Sequence, residues 1–329
     1  MIDPLVQKFL KKNGWGNATC QNLGFDASFR WYDRLNQNGK TALLMHAPAP
    51  ENPAQFICVD QLLASAGLFP PKIWAQDLKN GLVLLEDFGD NTFTRLIQNG
   101  ENETHLYMRA VDELIKLHQN CPNLPNDFPQ FSPQLIQEEV SLLPLWFIKY
   151  VVGTEMSAAQ MDDFIQIWEI LSQKIIRSEQ TLVLSDYHID NLMITPDNRC
   201  GILDFQDAVK GPRHYDLISL VEDARRTISP ALKKQMLDRY FTAFPQAKKT
   251  WDETFDLVAA ERHTRIIGIF IRLCVRDKKP RYLQYISHVW QLLESHLNNP
   301  ALADYKVWLD AHVPDTFRHN IPRITEEAK

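Results

Sequence analysis

Three short apolar runs set the tightest limit on how this chain folds. TLVL (181–184), LMIT (192–195) and CGILDF (200–205) interrupt a stretch whose flanks carry helical spacing. Each is β-prone and too short for a helix, so each reads as a buried strand. The polar loop SDYHIDN separates the first two. PDNR, with Pro196 suited to the second position of a tight turn, separates the last two. A polar loop held between buried strands is where a fold keeps catalytic groups in place.

The regions on either side differ in character. Toward the N-terminus lie the β-like pieces ASFRWYDRL (27–35), TALLMH (41–46) and GLVLLEDF (81–88), with one helical stretch, FICVDQLLASAG (56–67), ended by Gly67. After Asp90 the pattern is helical. Residues 104–120 place Leu106, Ala110, Val111, Leu114 and Leu117 on one face, and similar patterns recur at 155–178, 231–243, 253–275 and 281–297. A strand-rich front and a helix-rich back predict an α+β chain of two lobes that divide near LEDFGDN, residues 85–91. The length of 329 residues, 45% of them hydrophobic, suits two lobes better than one ordinary domain.

Net charge and cysteine usage exclude several classes. A net charge of −6 argues against a nucleic-acid binder that relies on a basic surface. Cys20, Cys58, Cys121, Cys200 and Cys274 are odd in number, scattered and never spaced as CxxC, the pattern of reduced thiols rather than a disulfide frame or zinc site. The opening MIDPLVQKFLKKNGW reads as a short amphipathic helix, not a signal peptide. The longest apolar runs, such as IIGIF (266–270), are far too short to span a bilayer. The expectation is a soluble, cytoplasmic protein with neither a nucleic-acid nor a membrane partner.

Asp186 and Asn191 stand in D-x-x-x-x-N spacing on the polar loop, and Asp204 follows at the end of the third run. That spacing alone carries little, because it arises by chance about once in a chain of this length. Its weight comes from the flanking strands, the turn between them and the following ILDFQD. Phosphoryl transfer needs a carboxylate to orient the attacking hydroxyl and hard oxygen ligands for the Mg²⁺ that bridges the nucleotide phosphates. These three residues supply both; the bland alternative is a set of acids on a solvated surface.

SDYHIDNLMI, CGILDFQDA and GPRHYDLISLVEDARR together resemble the aminoglycoside phosphotransferase-like kinases. The likeness extends to FDASFRWY, LLEDFGD, DELIKLHQ (112–119) and EEVSLLPLWF (138–147), and runs to about residue 226. It leans toward the bacterial kinases that phosphorylate N-acetylmuramate and N-acetylglucosamine at the anomeric position. The resemblance implies a protein-kinase-like, two-lobed fold, with a small β-rich nucleotide-binding lobe over 1–88 and a larger helical catalytic and substrate lobe over 89–329. It also implies ATP and Mg²⁺ as cofactors. By the same likeness, Asp186 is the catalytic aspartate, and Asn191 and Asp204 are the metal ligands. His188 matches a histidine that braces the loop, Asp190 and Asp207 are loop-shaping or solvated acids, and Tyr215, Asp216 and LISLVEDARR resemble a buttressing helix. ATP is expected beside LLEDFGD, Glu86 included, where backbone groups meet the adenine edge.

The departures from the family pattern define further candidates. In place of a glycine-rich loop, NLGFDASFRWY offers only Gly24, so the backbone N–H groups of Ala27 and Ser28 are expected to meet the phosphates. The lysine expected on the third strand is replaced near Met45, and Arg30 is the candidate substitute cation, with an exposed strand arginine as the other reading. Gln206, where protein kinases carry the glycine of D-F-G, favours a small-molecule kinase. Glu139 and Trp146 are candidate sugar contacts, read equally well as helix and core residues around a break at Pro144. Asp223 and Arg225 are further acceptor candidates; as an i,i+2 pair on a helix, they would point to different faces, and one at most would reach. Trp168, Trp251 and Trp290 read as core.

The expected function is ATP- and Mg²⁺-dependent phosphorylation of a small-molecule hydroxyl, with an amino sugar as the leading acceptor. An aminoglycoside or a choline-like amine is the enzymatic alternative. A nucleotide-binding pseudokinase that scaffolds a partner is the other class, favoured by the missing lysine and opposed by the intact Asp186–Asn191–Asp204 set.

Overall fold

An amphipathic helix opens the chain. Asp3 caps α1 (Pro4–Lys12), its carboxylate accepting from Leu5 N, and the helix buries Val6, Phe9 and Leu10. These side chains cluster with Leu35, Ala42, Leu44, Leu82 and Leu84. The latter belong to a sheet of β1 (Thr19–Phe25), β2 (Trp31–Gln37), β3 (Lys40–His46), β4 (Ile73–Asp77) and β5 (Leu82–Leu85). The five strands are antiparallel in the order β1-β2-β3-β5-β4. Strand β5 is buried at every position, as a central strand covered on both faces must be.

The computed structural model describes residues 3–25, 29–121 and 123–324. Two compact units divide the chain, the first comprising residues 1–122 and 186–208, the second residues 123–185 and 209–329. In the first, α2 (Pro53–Ser65), α3 (Phe93–Gln98) and α4 (Glu103–Gln119) accompany the sheet, each started by an Asn or Thr cap. The expected apolar face of α4 is buried, with Ala110, Val111, Leu114 and Leu117 fully covered.

The chain then builds α5 (Pro133–Val140), a π-helix (Leu143–Val152), α6 (Ala158–Ile175) and β6 (Gln180–Val183) in the second unit. It returns to the first for β7 (Leu192–Ile194) and β8 (Cys200–Ile202), then leaves again with β9 (Val209–Pro212). The helices α7 (Tyr215–Val221), α8 (Pro230–Ala243), α9 (Ala247–Val275), α10 (Ile286–His296), α11 (Ala303–His312) and α12 (Asp315–Arg318) complete the second unit. The three expected strands therefore belong to two ribbons, β7 pairing with β8 and β6 with β9. Trp168, Trp251 and Trp290 are buried, as expected.

Two local expectations are corrected. The break at Pro144 is a change of helix type rather than an end: α5 stops at Val140, Leu145 N donates to Ser141 O at 3.1 Å, and the chain continues as a π-helix to Val152. Pro144 falls at the start of the π-helix, where the end of α5 gives way to the wider turn. This segment lies so close to α9 that a Cβ on Gly268 would stand 2.3 Å from the carbonyl carbon of Leu142. Second, LISLVEDARR is not one helix. Helix α7 stops at Val221, and the Asp223 carboxylate accepts from Arg225 N at 2.8 Å. An aspartate that captures the backbone two residues on competes with the helix and favours a turn. Asp223 and Arg225 thus share a turn, and the helix-face argument about them does not apply. No described helix is long and apolar enough to cross a membrane.

Candidate active site

Hydrogen bonds fix the polar loop along its length. Asp216, fully buried in the first turn of α7, accepts from Leu184 N at 2.7 Å and Ser185 N at 3.1 Å. This is the buttress that the sequence suggested. Ser185 takes a positive φ of 69°, an uncommon conformation for a residue with a side chain. Beyond it, the Asp186 carbonyl accepts from His188 N at 3.1 Å and Asn191 Nδ2 at 3.0 Å. Asn191 O accepts from Leu203 N at 2.9 Å, which ties the loop to the end of β8. Tyr187 donates its hydroxyl to Ala110 O on α4 at 2.9 Å, and Thr94 on α3 donates to the Asp190 carboxylate. His188 is buried, with Nε2 3.4 Å from Asn191 Nδ2, a place that suits bracing.

Asp204 follows β8 with a φ of 56°. Phe205 beside it is fully buried and stacks on Phe56 of α2 at 4.9 Å, so the strained backbone is anchored by packing. Asp204 Oδ1 accepts from Arg30 Nη2 at 3.1 Å and from Gln206 Nε2 at 3.2 Å. Oδ2 has no partner among the described residues. The carboxyl is pushed up to about 6 by the protein packed around it and by repulsion from Asp186 and Asp207, against the pull of Arg30. With 44% of the side chain exposed, the carboxylate remains open to water while the neighbouring like charges crowd it. A carboxylate with an open oxygen, repelled by Asp186 and Asp207, with the Asn191 amide oxygen on the loop tied to its strand, is an oxygen donor set of the kind a hard dication takes.

Arg30 is buried and bridges two acids, its Nε lying 3.1 Å from Glu51 Oε2 and its Nη2 on Asp204. The expected lysine position holds fully buried Met45, paired across the strands with Tyr32, whose hydroxyl donates to the Met45 sulfur at 3.5 Å. The structure thus brings Arg30, Asp186, Asn191 and Asp204 into one unit. Glu86, just past β5, exchanges bonds with Lys72: its N donates to Lys72 O at 2.9 Å, and its Oε2 accepts from Lys72 N at 3.3 Å. Ala27 and Ser28 lie outside the described residues.

Sequence reasoning missed two residues here. Arg34 on β2 clasps the segment after β5 through Asp87 at 2.9 Å and Asp90 at 3.1 Å. Glu51 is the other. Both act through partners distant in sequence, so no local motif announces them.

The remaining candidates lie in the second unit. Glu139 pairs with Arg265 Nε at 3.1 Å, beside the fully buried Glu261, whose carboxyl is held well above its ordinary value by burial and by Glu139. Trp146, on the π-helix, stacks with Tyr150 at 5.5 Å. Asp223 is buried, its carbonyl accepting from His288 Nε2 at 2.9 Å, and Arg225 lies over the Phe270 ring at 5.5 Å. Next to them, Glu222 Oε2 is 2.7 Å from His263 Nε2 and 2.9 Å from His296 Nε2, while Lys233 Nζ is 2.6 Å from Oε1. His296 Nδ1 is 2.8 Å from Asp256.

A sequence profile of the phosphotransferase enzyme family matches residues 19–253. The chain belongs to this family. It is accordingly a kinase, an enzyme that moves a phosphoryl group from ATP to a hydroxyl. An N-acetylmuramate/N-acetylglucosamine kinase of Caulobacter vibrioides is 33% identical over 93% of this chain and 95% of its own. One of Pseudomonas putida is 35% identical over 86% of this chain and 85% of its own. Among solved structures, the choline kinase of Streptococcus pneumoniae superposes with a TM-score of 0.63 at 12% identity, over 92% of this chain and all of its own. A spectinomycin phosphotransferase in complex with ADP and spectinomycin gives 0.58 at 14% identity, over 95% of this chain and 99% of its own. The fold is therefore kinase-like, an N-terminal antiparallel sheet with a larger helical part, as the sequence led us to expect.

Proposed function

We propose that the chain transfers the γ-phosphate of ATP to the anomeric hydroxyl of an amino sugar, with Mg²⁺ as the metal. The observation that carries the phosphotransfer reading is the open oxygen of Asp204, set among like charges beside the braced Asp186–Asn191 loop. The names of the relatives support the amino sugar. In this reading, residues 1–88 form the nucleotide-binding lobe and 89–329 the catalytic and substrate lobe, and the enzyme works in the cytoplasm.

Asn191 and Asp204 would hold Mg²⁺, which when bound neutralises charge on the phosphates. Asp186 orients the acceptor hydroxyl and takes its proton. Its carbonyl, held by Asn191 and His188, fixes the direction of the side chain. An anomeric hydroxyl is more acidic than an ordinary alcohol, so a carboxylate is base enough. Arg30, with the N–H groups of Ala27 and Ser28, meets the phosphates, and the backbone around Glu86 meets the adenine edge. Glu139, Trp146, Asp223 and Arg225 are the proposed acceptor contacts; of these, Trp146 offers the ring face that a sugar stacks on.

Supplying N-acetylglucosamine or N-acetylmuramate with Mg·ATP should release ADP and give an acid-labile sugar 1-phosphate in the phosphorus spectrum. The methyl glycosides, which lack the anomeric hydroxyl, should be inert. Equal turnover of the methyl glycosides, or activity confined to aminoglycosides or choline-like amines, would overturn the amino-sugar assignment.

A further inference from the structure

Arg30 and Glu51 carry a consequence that rests on the kinase reading above. At the expected lysine position the third strand provides no cation, because Met45 and Tyr32 close that place with each other. The cation that the first unit brings to Asp204 is Arg30, and the two acids it bridges are unlike. Glu51 is 15% exposed and doubly held: Oε2 faces Arg30, and Oε1 accepts from Phe29 N at 3.0 Å. Its own N donates to Pro48 O at 2.9 Å in the turn before α2. Asp204, by contrast, is 44% exposed and repelled by its neighbours. One end of the guanidinium is thus fastened to a fixed carboxylate and the other rests on a carboxylate suited to a dication. A guanidinium on Oδ1 neutralises part of the charge that a metal needs, so cation and metal compete for the same group.

We infer that Arg30 is a placeholder: it neutralises Asp204 in the nucleotide-free chain, then turns to the nucleotide phosphates while staying on Glu51, which acts as the positioning residue. Metal and nucleotide binding are then coupled, because phosphates that draw Arg30 away release Asp204 to the metal. Metal alone binds weakly for the same reason.

Mn²⁺ binding to the full chain without nucleotide, read from the free-ion electron paramagnetic resonance signal, separates this device from a purely structural ion pair. Arg30→Gln should bind Mn²⁺ about tenfold more tightly than the unaltered chain, the effect of removing one charge-assisted bond, while the KM for ATP rises by about the same factor. Arg34→Gln removes an equal charge from Asp87 and Asp90 instead, and its Mn²⁺ affinity should stay unchanged. Glu51→Gln should raise the KM for ATP several-fold and leave kcat within about twofold, a split that disordered packing would not give. Should Arg30→Gln fail to fold, Arg30→Lys, which keeps the charge but loses the fork, should show smaller shifts of the same sign.

Unchanged or weaker Mn²⁺ binding by Arg30→Gln, none detectable at millimolar Mn²⁺, or equal tightening by Arg34→Gln would overturn the inference. Asp204→Asn tells this apart from an error in the underlying reading. If it loses turnover while Arg30→Gln shows no tightening, only the placeholder fails. If it turns over normally, the metal assignment itself is wrong.

Discussion

Asp204 in the first unit and Glu222 in the second are both carboxylates paired with a cation, Arg30 and Lys233, and they differ in what remains unsatisfied. Glu222 spends both oxygens inside the protein, Oε1 on Lys233 and Oε2 on His263 and His296. Its carboxyl is held well below its ordinary value; burial works against this, and the two imidazole bonds prevail. His263 is pushed down to about 4 by burial, whereas His296 is raised, burial being outweighed by Glu222 and Asp256. His263 thus gives up its proton readily while His296 holds its own more firmly, and Glu222 itself has both oxygens engaged within the cluster. Asp204 keeps one oxygen open, is pushed up rather than down, and sits on strained backbone. A group with every partner supplied serves the fold. One left open, repelled and strained is shaped for something the chain does not contain.

The contrast breaks if the two substitutions behave alike. Asp204→Asn should lower turnover by about three orders of magnitude, as expected when several kcal/mol of charge stabilisation is lost, with little change in melting temperature. Steady-state kinetics and calorimetry on one preparation would decide it. Glu222→Gln should do the reverse. Removing one partner of a buried ionic network costs about 3–5 kcal/mol. The melting temperature should therefore fall by on the order of 10 °C, with turnover of the folded fraction within a few-fold of normal. A Glu222→Gln protein with unaltered melting but lost turnover would move that cluster into the active machinery.

Asp60 sharpens the comparison, because it is neither closed nor open. It lies on α2, buried, with Oδ2 lacking a partner, and burial pushes its carboxyl up to about 7. Its folded value is thus above its unfolded value, so the folded state takes up a proton at intermediate pH. Stability is favoured while the carboxyl is protonated and falls as pH rises from about 4 to 7, by on the order of 3 kcal/mol. Asp60→Asn, neutral at every pH, should melt several degrees above the unaltered chain at pH 8 and close to it at pH 4. A gap independent of pH would show that the charge is relieved by movement of the surroundings.

What the sequence disclosed follows the range over which each signal acts. The apolar face of α4 and the strands around the polar loop are local patterns, and all are found where expected. Strand β1, TCQNLGF, escaped notice because it lies at the sheet edge and shows no apolar alternation. The π-helix leaves no clear signal because its turn is wider than the 3.6-residue period of an α-helix, and Pro144 reads as a stop. Around the polar loop, Asp186, Asn191 and Asp204 stand out because two strands and a turn frame them. Arg30 was a candidate, but Glu51, 21 residues further on in an irregular turn, has no pattern to mark it. Glu222, His263 and His296 are drawn together from a turn and two different helices, and single histidines on apolar faces signal only burial.

The first unit is also a story about synthesis. Its sheet and first helices are complete by residue 122, but β7, β8, Asp204 and Phe205 arrive only after the next stretch has been built elsewhere. At translation rates of about 5–20 residues per second, the ribosome takes roughly ten seconds to cover that gap. During it, the nascent chain lacks Phe205, against which Phe56 stacks, and the β8 backbone at Gly201, on which Phe88 lies so closely that an added Cβ would stand 2.6 Å from the ring. A chaperone that binds exposed aromatic surface would therefore find its opportunity early in translation, well before the chain is released.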